Sequence, residues 1–342
     1  MKYIPYQVVW EMTLRCNLNC LHCGSAAGKA RSTELSTKEG VQLIHDLAKI
    51  GSREVCFMGG EPLLRKDWYE LAKEVKKLGM EFLIISNGFN INEEIMNKLA
   101  TLDPYAIATS LDGGTAKTHD YIRGKKGSFD KVMEYISLSK ERELPTSVIT
   151  TVSKLNVDEL PLIKDILVNR FIAWQIQVAT PHGRFPKKYA LSRKEFYEVG
   201  EYIASLQKKY SKKELPIIGA HGLGYHSKQI PCLGLYPEFR GCQAGITILS
   251  IRSNGNVTGC LGTQDEYIEG NIKERSIIDI WNDPKAFAYN RKFTKEQLGE
   301  NCRECKYGEI CKGGCLGMSL GLTGKPYNNS FCFHKIEEEG LV

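Results

Sequence analysis

The chain has 342 residues, 25% of them charged and 42% hydrophobic, with a formal net charge of +6, enough length to bury a large core and to hold more than one domain. No apolar stretch reaches the roughly 18 residues of a membrane span, and Glu11 and Arg15 cut the first apolar run too short for a signal peptide. The basic residues are scattered, so the excess charge predicts neither a nucleic-acid nor a membrane surface, and with no export signal the twelve cysteines read as metal ligands in a reducing cytoplasm rather than disulfides.

The pattern up to about residue 185 alternates strand and helix. Val8 to Thr13 reads as the first strand and runs into Arg15-Cys16-Asn17-Leu18-Asn19-Cys20-Leu21-His22-Cys23. Three thiolates from one tight loop can hold three irons of a cubic 4Fe-4S cluster and leave the fourth iron open to a small molecule. A zinc or redox site is the plainer alternative, yet zinc would want a fourth ligand close by. The next cysteine, Cys56, lies inside the apolar strand Glu54 to Met58, where a buried inert thiol is expected. Ser36-x-x-Glu39 is a capping box that opens a helix to about Ile50. Helices follow over Asp67 to Leu78, Asn92 to Leu102, Ser128 to Arg142 and about Val157 to Val168. The remaining strands are Glu81 to Ser86, Ala106 to Leu111, Thr146 to Val152 and Trp174 to Ala179. Six alternating units predict a parallel sheet closed only part of the way round, an open (βα)6 barrel whose mouth admits a bulky substrate.

The unusual residues gather where strands end. The cysteine loop follows the first strand, Gly59-Gly60-Glu61-Pro62 the second, Ser86-Asn87-Gly88 the third and Ser110-Leu111-Asp112-Gly113 the fourth. Each run alone reads as a turn. Together they occupy the C-terminal rim, the face where barrel folds place their sites.

Residues 186–231 form a bridge, with a helix opened by Ser192-x-x-Glu195 and ending in a solvated Lys/Glu stretch near Tyr210. A third region, 232–342, holds eight of the twelve cysteines: Cys232, Cys242, Cys260, Cys302, Cys305, Cys311, Cys315 and Cys332. It is rich in glycine and poor in long periodic apolar segments, so metal binding is expected to supply its folding free energy.

Residues 1–185 resemble the radical S-adenosylmethionine (SAM) superfamily. The last third resembles the SPASM extension, in the run Cys242, Gly255-x4-Cys260, Cys302-x2-Cys305-x5-Cys311-x3-Cys315 and Cys332. The resemblance implies an α/β fold with a partial barrel followed by a small cysteine-rich domain, and three 4Fe-4S clusters with SAM as cofactors. Cys16, Cys20 and Cys23 would ligate the SAM cluster, and His22 would sit beside the adenine. Gly60 and Glu61 would meet the SAM ammonium, with Pro62 shaping the turn and Gly59 beside them among the cofactor-binding residues. Ser86, Asn87, Ser110 and Asp112 would lie near its ribose and methionyl parts, and Arg123 would meet its carboxylate. Cys242, Cys260 and Cys315 would hold a first auxiliary cluster, completed by the loop cysteine Cys232. Cys302, Cys305, Cys311 and Cys332 would hold a second. At about −1 or −2 for each cluster with its thiolates, the loaded protein approaches neutrality.

The function implied is reductive SAM cleavage to a 5′-deoxyadenosyl radical. That radical abstracts hydrogen from a peptide or protein carbon, leading to crosslinking, epimerisation or oxidation. The partners implied are the peptide, a reductant such as flavodoxin or ferredoxin, and a separate leader-peptide-binding protein, since only about fifteen residues precede Cys16. Haem or peptide-derived quinone biosynthesis, sulfatase maturation and a non-enzymatic electron carrier remain as alternatives; Leu261, where sulfatase-maturing proteins carry an aspartate, counts against sulfatase maturation. Asp265, Glu266 and His182 are weak catalytic candidates. His221, His226 and His334 read mainly as surface or core histidines.

Overall fold

The computed structural model describes residues 3–220, 223, 225–236 and 238–342. Strands β1 (Gln7–Glu11), β2 (Glu54–Met58), β3 (Glu81–Ser86), β4 (Ala106–Ser110), β5 (Thr146–Val152) and β6 (Ala173–Val178) pair in chain order, all parallel. Their crossovers carry α1 (Thr37–Lys49), α2 (Trp68–Lys77), α3 (Glu93–Thr101), α4 (Ala116–Arg123), α5 (Ser128–Glu141) and α6 (Leu160–Leu167). The six expected units are present. The expected capping boxes are too: Ser36 opens α1, and Ser192 opens α7 (Arg193–Lys209), each with its glutamate reaching back.

The sheet continues beyond the six strands. After α7, β7 (Ile217–Gly219) joins β6 in parallel. On the other side β8 (Ile248–Ile251) pairs parallel with β1, and β9 (Asn256–Thr258) and β10 (Gly270–Asn271) follow antiparallel. The order is β10-β9-β8-β1-β2-β3-β4-β5-β6-β7.

Alternation along each strand separates two faces. Trp10, Phe57, Phe82 and Ile107 point outward into the helices and are fully buried. Trp10 and Phe57 meet edge to face at 5.4 Å, Phe57 and Phe82 at 5.2 Å. Val9, Met58, Leu83, Ile85, Ser110, Thr151, Gln175 and Gln177 lie on the other face and are only half-buried. The barrel interior is therefore a concave, partly solvated wall.

One expectation needs correction. Leu249, Ile251, Val257, Ile277, Ile280, Trp281 and Phe287 belong to the same apolar core as β1, α1 and α2. The reason is the β8–β1 pairing, which lays residues 248–287, including α8 (Ile277–Asn282), onto the barrel. Phe333 and Ile336 of α12 (Phe333–Glu338) join a second core with Phe196 of α7. Between these anchors only Met318 and Phe331 are buried members of that core, so a shortage of core is confined to this stretch. Its helices are short: α9 (Ala288–Arg291), α10 (Gly308–Cys311) and α11 (Leu316–Thr323).

Candidate active site and cluster-binding cysteines

The cysteine loop is fastened to the rim from two sides. Gly60 donates to the carbonyl of Thr13 and Glu61 to that of Arg15, both at 2.8 Å. A Cβ at Gly60 would run into the carbonyl oxygens of Leu14 and Arg15, so the close approach requires glycine there. From the far side, Arg184 donates its Nε to Cys20 O (3.1 Å), its Nη1 to Ala27 O (2.6 Å) and its amide to Cys23 O (3.1 Å). Arg184 was not legible as a site residue. Its only signal is its place in the turn after β6, where Gly183 packs on Cys23 and Gly24.

Each of the three thiols has one N–H aimed at its sulfur. Asn87 Nδ2 lies 3.7 Å from Cys16, Arg123 Nη1 3.6 Å from Cys20, and the Ala27 amide 3.4 Å from Cys23. Burial pushes the Cys16 thiol up to about 11, with Glu61 and the other two cysteines adding to the rise. A loop of thiols, each provided with a donor for the thiolate form, suits a positively charged iron core. Such a core deprotonates its ligands on binding.

Beside the loop, Glu61 is 1% exposed. Its Oε1 accepts from Ser86 Oγ (2.8 Å) and Leu63 N (3.1 Å), and its Oε2 accepts from Asn87 N (2.7 Å). Burial dominates and pushes this carboxyl up to about 7 despite those bonds. Pro62 then starts a single 3-10 turn. Gly59 takes a positive φ of 136° beneath Glu11 and Thr13.

Asp112 departs from its expected role. It is fully buried, and its Oδ2 accepts from His22 Nε2 (2.8 Å) and Arg123 Nη2 (2.6 Å), its Oδ1 from Thr151 N (2.8 Å). Burial opposes its ionisation, but Arg123 and His22 prevail and hold the carboxyl well below the usual range. Asp112 therefore positions His22 and Arg123. Ser86 is likewise turned to Glu61, whereas Ser110 stays half-buried on the barrel's inner wall. His119, unnoticed in the sequence, accepts from the Asp112 amide at 3.1 Å; burial and then Arg123 lower it to about 4. Arg123 Nε is buried without a partner among the described residues.

Across the mouth, Asp265 pairs with Arg252, which continues β8 on the rim and also donates to Thr263 O (3.0 Å). His182 packs near Gly24; burial and then the charge of Arg252 lower its pKa. Glu266 is exposed. Arg252, which pairs with Asp265 and whose charge bears on His182, has no motif to single it out in the sequence. His221 lies outside the described residues.

The remaining cysteines fall into two sets. Burial, then Cys242, pushes the Cys260 thiol up to about 11. Burial, then Cys242 and Cys260, raises that of Cys315 further. Cys302, Cys305, Cys311 and Cys332 line one cavity; burial, then Cys302 and Cys305, pushes Cys332 up to about 12. Cys232, the expected fourth member of the first set, donates its thiol to Tyr236 O at 3.1 Å within its own loop. Cys56 is buried and its thiol is pushed up to about 12, inert as expected. Among the described residues no three His, Cys, Asp or Glu converge as closely as one metal ion requires; a cluster, whose irons stand apart, takes a wider set. No helix of the described residues is long and apolar enough to cross a membrane.

Comparison with known proteins agrees with this geometry. The sequence profile of the radical SAM superfamily matches residues 10–166, and that of SPASM, an iron-sulfur cluster-binding domain, matches 242–306. The chain is 32% identical to an Fe-coproporphyrin III synthase of Methanosarcina barkeri, over 97% of this chain and 89% of the relative. It is 27% identical to the mycofactocin maturase MftC of Mycolicibacterium smegmatis, over 94% and 80%. Streptococcus suis SuiB bound to S-adenosylmethionine shares the fold with a TM-score of 0.77 at 20% identity, over 96% of this chain and 77% of that one. The chain belongs to the radical SAM superfamily and carries a SPASM iron-sulfur domain.

Proposed function

We propose that this protein is a cytoplasmic SAM-dependent enzyme that abstracts a hydrogen atom from a peptide or protein carbon, leading to crosslinking, epimerisation or oxidation. Cys16, Cys20 and Cys23 hold the SAM cluster. Two auxiliary clusters take Cys242, Cys260 and Cys315, with Cys232 as candidate fourth ligand, and Cys302, Cys305, Cys311 and Cys332. When bound, the SAM cluster and SAM together supply a carbon-centred radical by one-electron cleavage of a carbon–sulfur bond.

The chain's own residues supply position and protection. Gly59, Gly60, Glu61 and Pro62 shape the pocket for the ammonium, with one lone-pair direction of Glu61 left beyond its three donors. Arg123 Nε offers a donor to the carboxylate. Ser86 and Asn87 brace Glu61, while Asp112 orients His22 and Arg123. His182, kept neutral by burial and Arg252, can take a proton from the substrate; Asp265 and Glu266 stand at the same opening. A flavodoxin or ferredoxin would deliver the electron. A separate protein would present the peptide leader.

The observation that carries the peptide reading is the group of polar side chains on the half-open inner wall: Ser110 and Gln175, flanking Ile149, and the pair Thr151 and Gln177, in which Gln177 Nε2 donates to Thr151 Oγ1 at 3.0 Å. Such a group offers donors and acceptors to a peptide backbone, which carries one of each per residue. A second reading, oxidative decarboxylation of a haem precursor, is favoured by an AdoMet-dependent heme synthase of Methanosarcina barkeri, 28% identical over 94% of this chain and 93% of the relative, and by Arg252, which already holds one carboxylate. The test is anaerobic incubation of the iron-loaded enzyme with SAM, a low-potential reductant and either peptides encoded beside its gene or Fe-coproporphyrin III. A mass change in a peptide with stoichiometric 5′-deoxyadenosine supports the first reading. Carbon dioxide release from the porphyrin alone replaces it with the second.

A further inference from the structure

The two auxiliary cysteine sets are joined by the shortest of links. Cys311 belongs to one and Cys315 to the other, and Lys312, Gly313 and Gly314 between them all take positive φ, at 52°, 69° and 84°. This left-handed turn leaves bare backbone facing a neighbour. A Cβ on Gly314 would strike the ring of Tyr225. Tyr225 is 3% exposed, although it comes from the bridge and lies ninety positions before Cys315.

Its contacts reach both sets. The hydroxyl accepts from the Cys315 amide at 2.6 Å and from Asn329 Nδ2 at 2.9 Å. Asn329 in turn directs its own amide at the Cys302 thiol. Tyr225 also lines the cavity of Cys302, Cys305, Cys311 and Cys332.

We propose that Tyr225 is the bridge through which the two auxiliary clusters exchange an electron, its hydroxyl fixing the Cys315 ligand and its ring filling the gap between the sets. The proposal rests on the reading of two auxiliary clusters. In the step, the reduced first cluster loses one electron and is oxidised, and the second gains it and is reduced. No bond forms or breaks, no proton moves, and Tyr225 is unchanged. Close-packed atoms between donor and acceptor carry an electron better than a void. The side chain lies against Gly314 of the link, lines the cavity of the second set and meets the Cys315 amide of the first through its hydroxyl.

The test uses the full iron-loaded protein. Redox titration followed by EPR first establishes that two auxiliary signals exist in the wild type; their absence defeats the underlying reading and not this proposal. Tyr225→Phe keeps the ring and removes the hydroxyl. It is expected to retain its iron, to shift the midpoint of the first auxiliary cluster and not the second, and to keep the exchange rate within about threefold. Tyr225→Leu removes the ring and is expected to slow exchange after single-electron photoreduction by at least about tenfold. Wild-type exchange in an iron-replete Leu variant overturns the proposal. If the Leu variant sheds iron, the Phe variant decides: iron loss or an unshifted first midpoint there overturns it.

Discussion

The barrel and the cysteine-rich stretch from Leu298 to Cys332 solve the same problem, holding thiols in place, by opposite means. Around Cys16, Cys20 and Cys23 the protein supplies a finished scaffold. Trp10, Phe57 and Phe82 pack the strand behind the loop, Arg184 and the Gly59-Gly60 turn tie the loop down, and each sulfur has its own donor. Around Cys302, Cys305, Cys311 and Cys332 the local helices are α10 and α11, of four and eight residues. There the thiols face one cavity, and burial raises the pKa of Cys302, Cys311 and Cys332. Apolar burial orders the first site before iron arrives. On the proposed reading, the second would depend on iron to neutralise and join its ligands.

The largest effect expected from this contrast follows iron removal by an anaerobic chelator. Amide exchange between residues 300 and 332 should accelerate by orders of magnitude, while β2 to β5 stay protected. Uniform protection, or uniform loss, would erase the distinction between the two regions. Substituting Cys16, Cys20 and Cys23 by alanine together should keep about eight irons and the barrel's thermal transition, yet abolish 5′-deoxyadenosine formation. Continued SAM cleavage in that variant would remove the loop from the chemistry.

Next in size is Asp112→Asn. It leaves Arg123 buried without its counter-charge and should cost about 3–5 kcal/mol of stability, measured by denaturant unfolding at pH 7. The sign of the pH effect is fixed by a carboxyl held below its ordinary range. The stabilisation is present above an unfolded pKa of about 3.9 and is lost as pH falls towards the depressed folded value, so the variant should lack that acid-side loss.

Glu61→Gln probes the reverse case. Its folded pKa is about 7 against an ordinary value of about 4.3, so between these the folded protein binds a proton that the unfolded chain has released. Wild-type stability relative to the Gln variant should fall as pH rises from about 4.5 to 7 and level off above. A flat difference across that window would mean that Glu61 is ionised throughout. The smallest effect expected is from Ser36→Ala, which removes the cap of α1 at a cost of about 1 kcal/mol without altering iron content.

What the sequence made legible was local. The six barrel strands, the two capping boxes and the run of polar turns on one rim all depend on neighbours within a few residues; the cysteine runs have fixed spacings, but the division of Cys311 and Cys315 between two sets comes from the family resemblance. Helix α4 had readable signals, the Thr115 cap and Gly124 with its φ of 64°, but it lies between two turns and lacks a long apolar stripe. The pairing of β8 with β1 joins Ile251 to Trp10 across more than two hundred residues; four-residue strands carry too little pattern to announce a partner so distant. Asp112 illustrates another limit. Its place on the rim could be read, but its engagement with Arg123 and His22 depends on side chains that meet only in space.

The position of β8 has a practical result for anyone cutting the chain. The (βα)6 portion looks separable on paper at residue 232. Removing residues 232–342 would strip β1 of one of its two hydrogen-bonding neighbours and uncover the core side chains now covered by Leu249, Ile251 and Trp281. A shortened barrel would then present a bare parallel edge strand beside an apolar patch, a combination that invites aggregation.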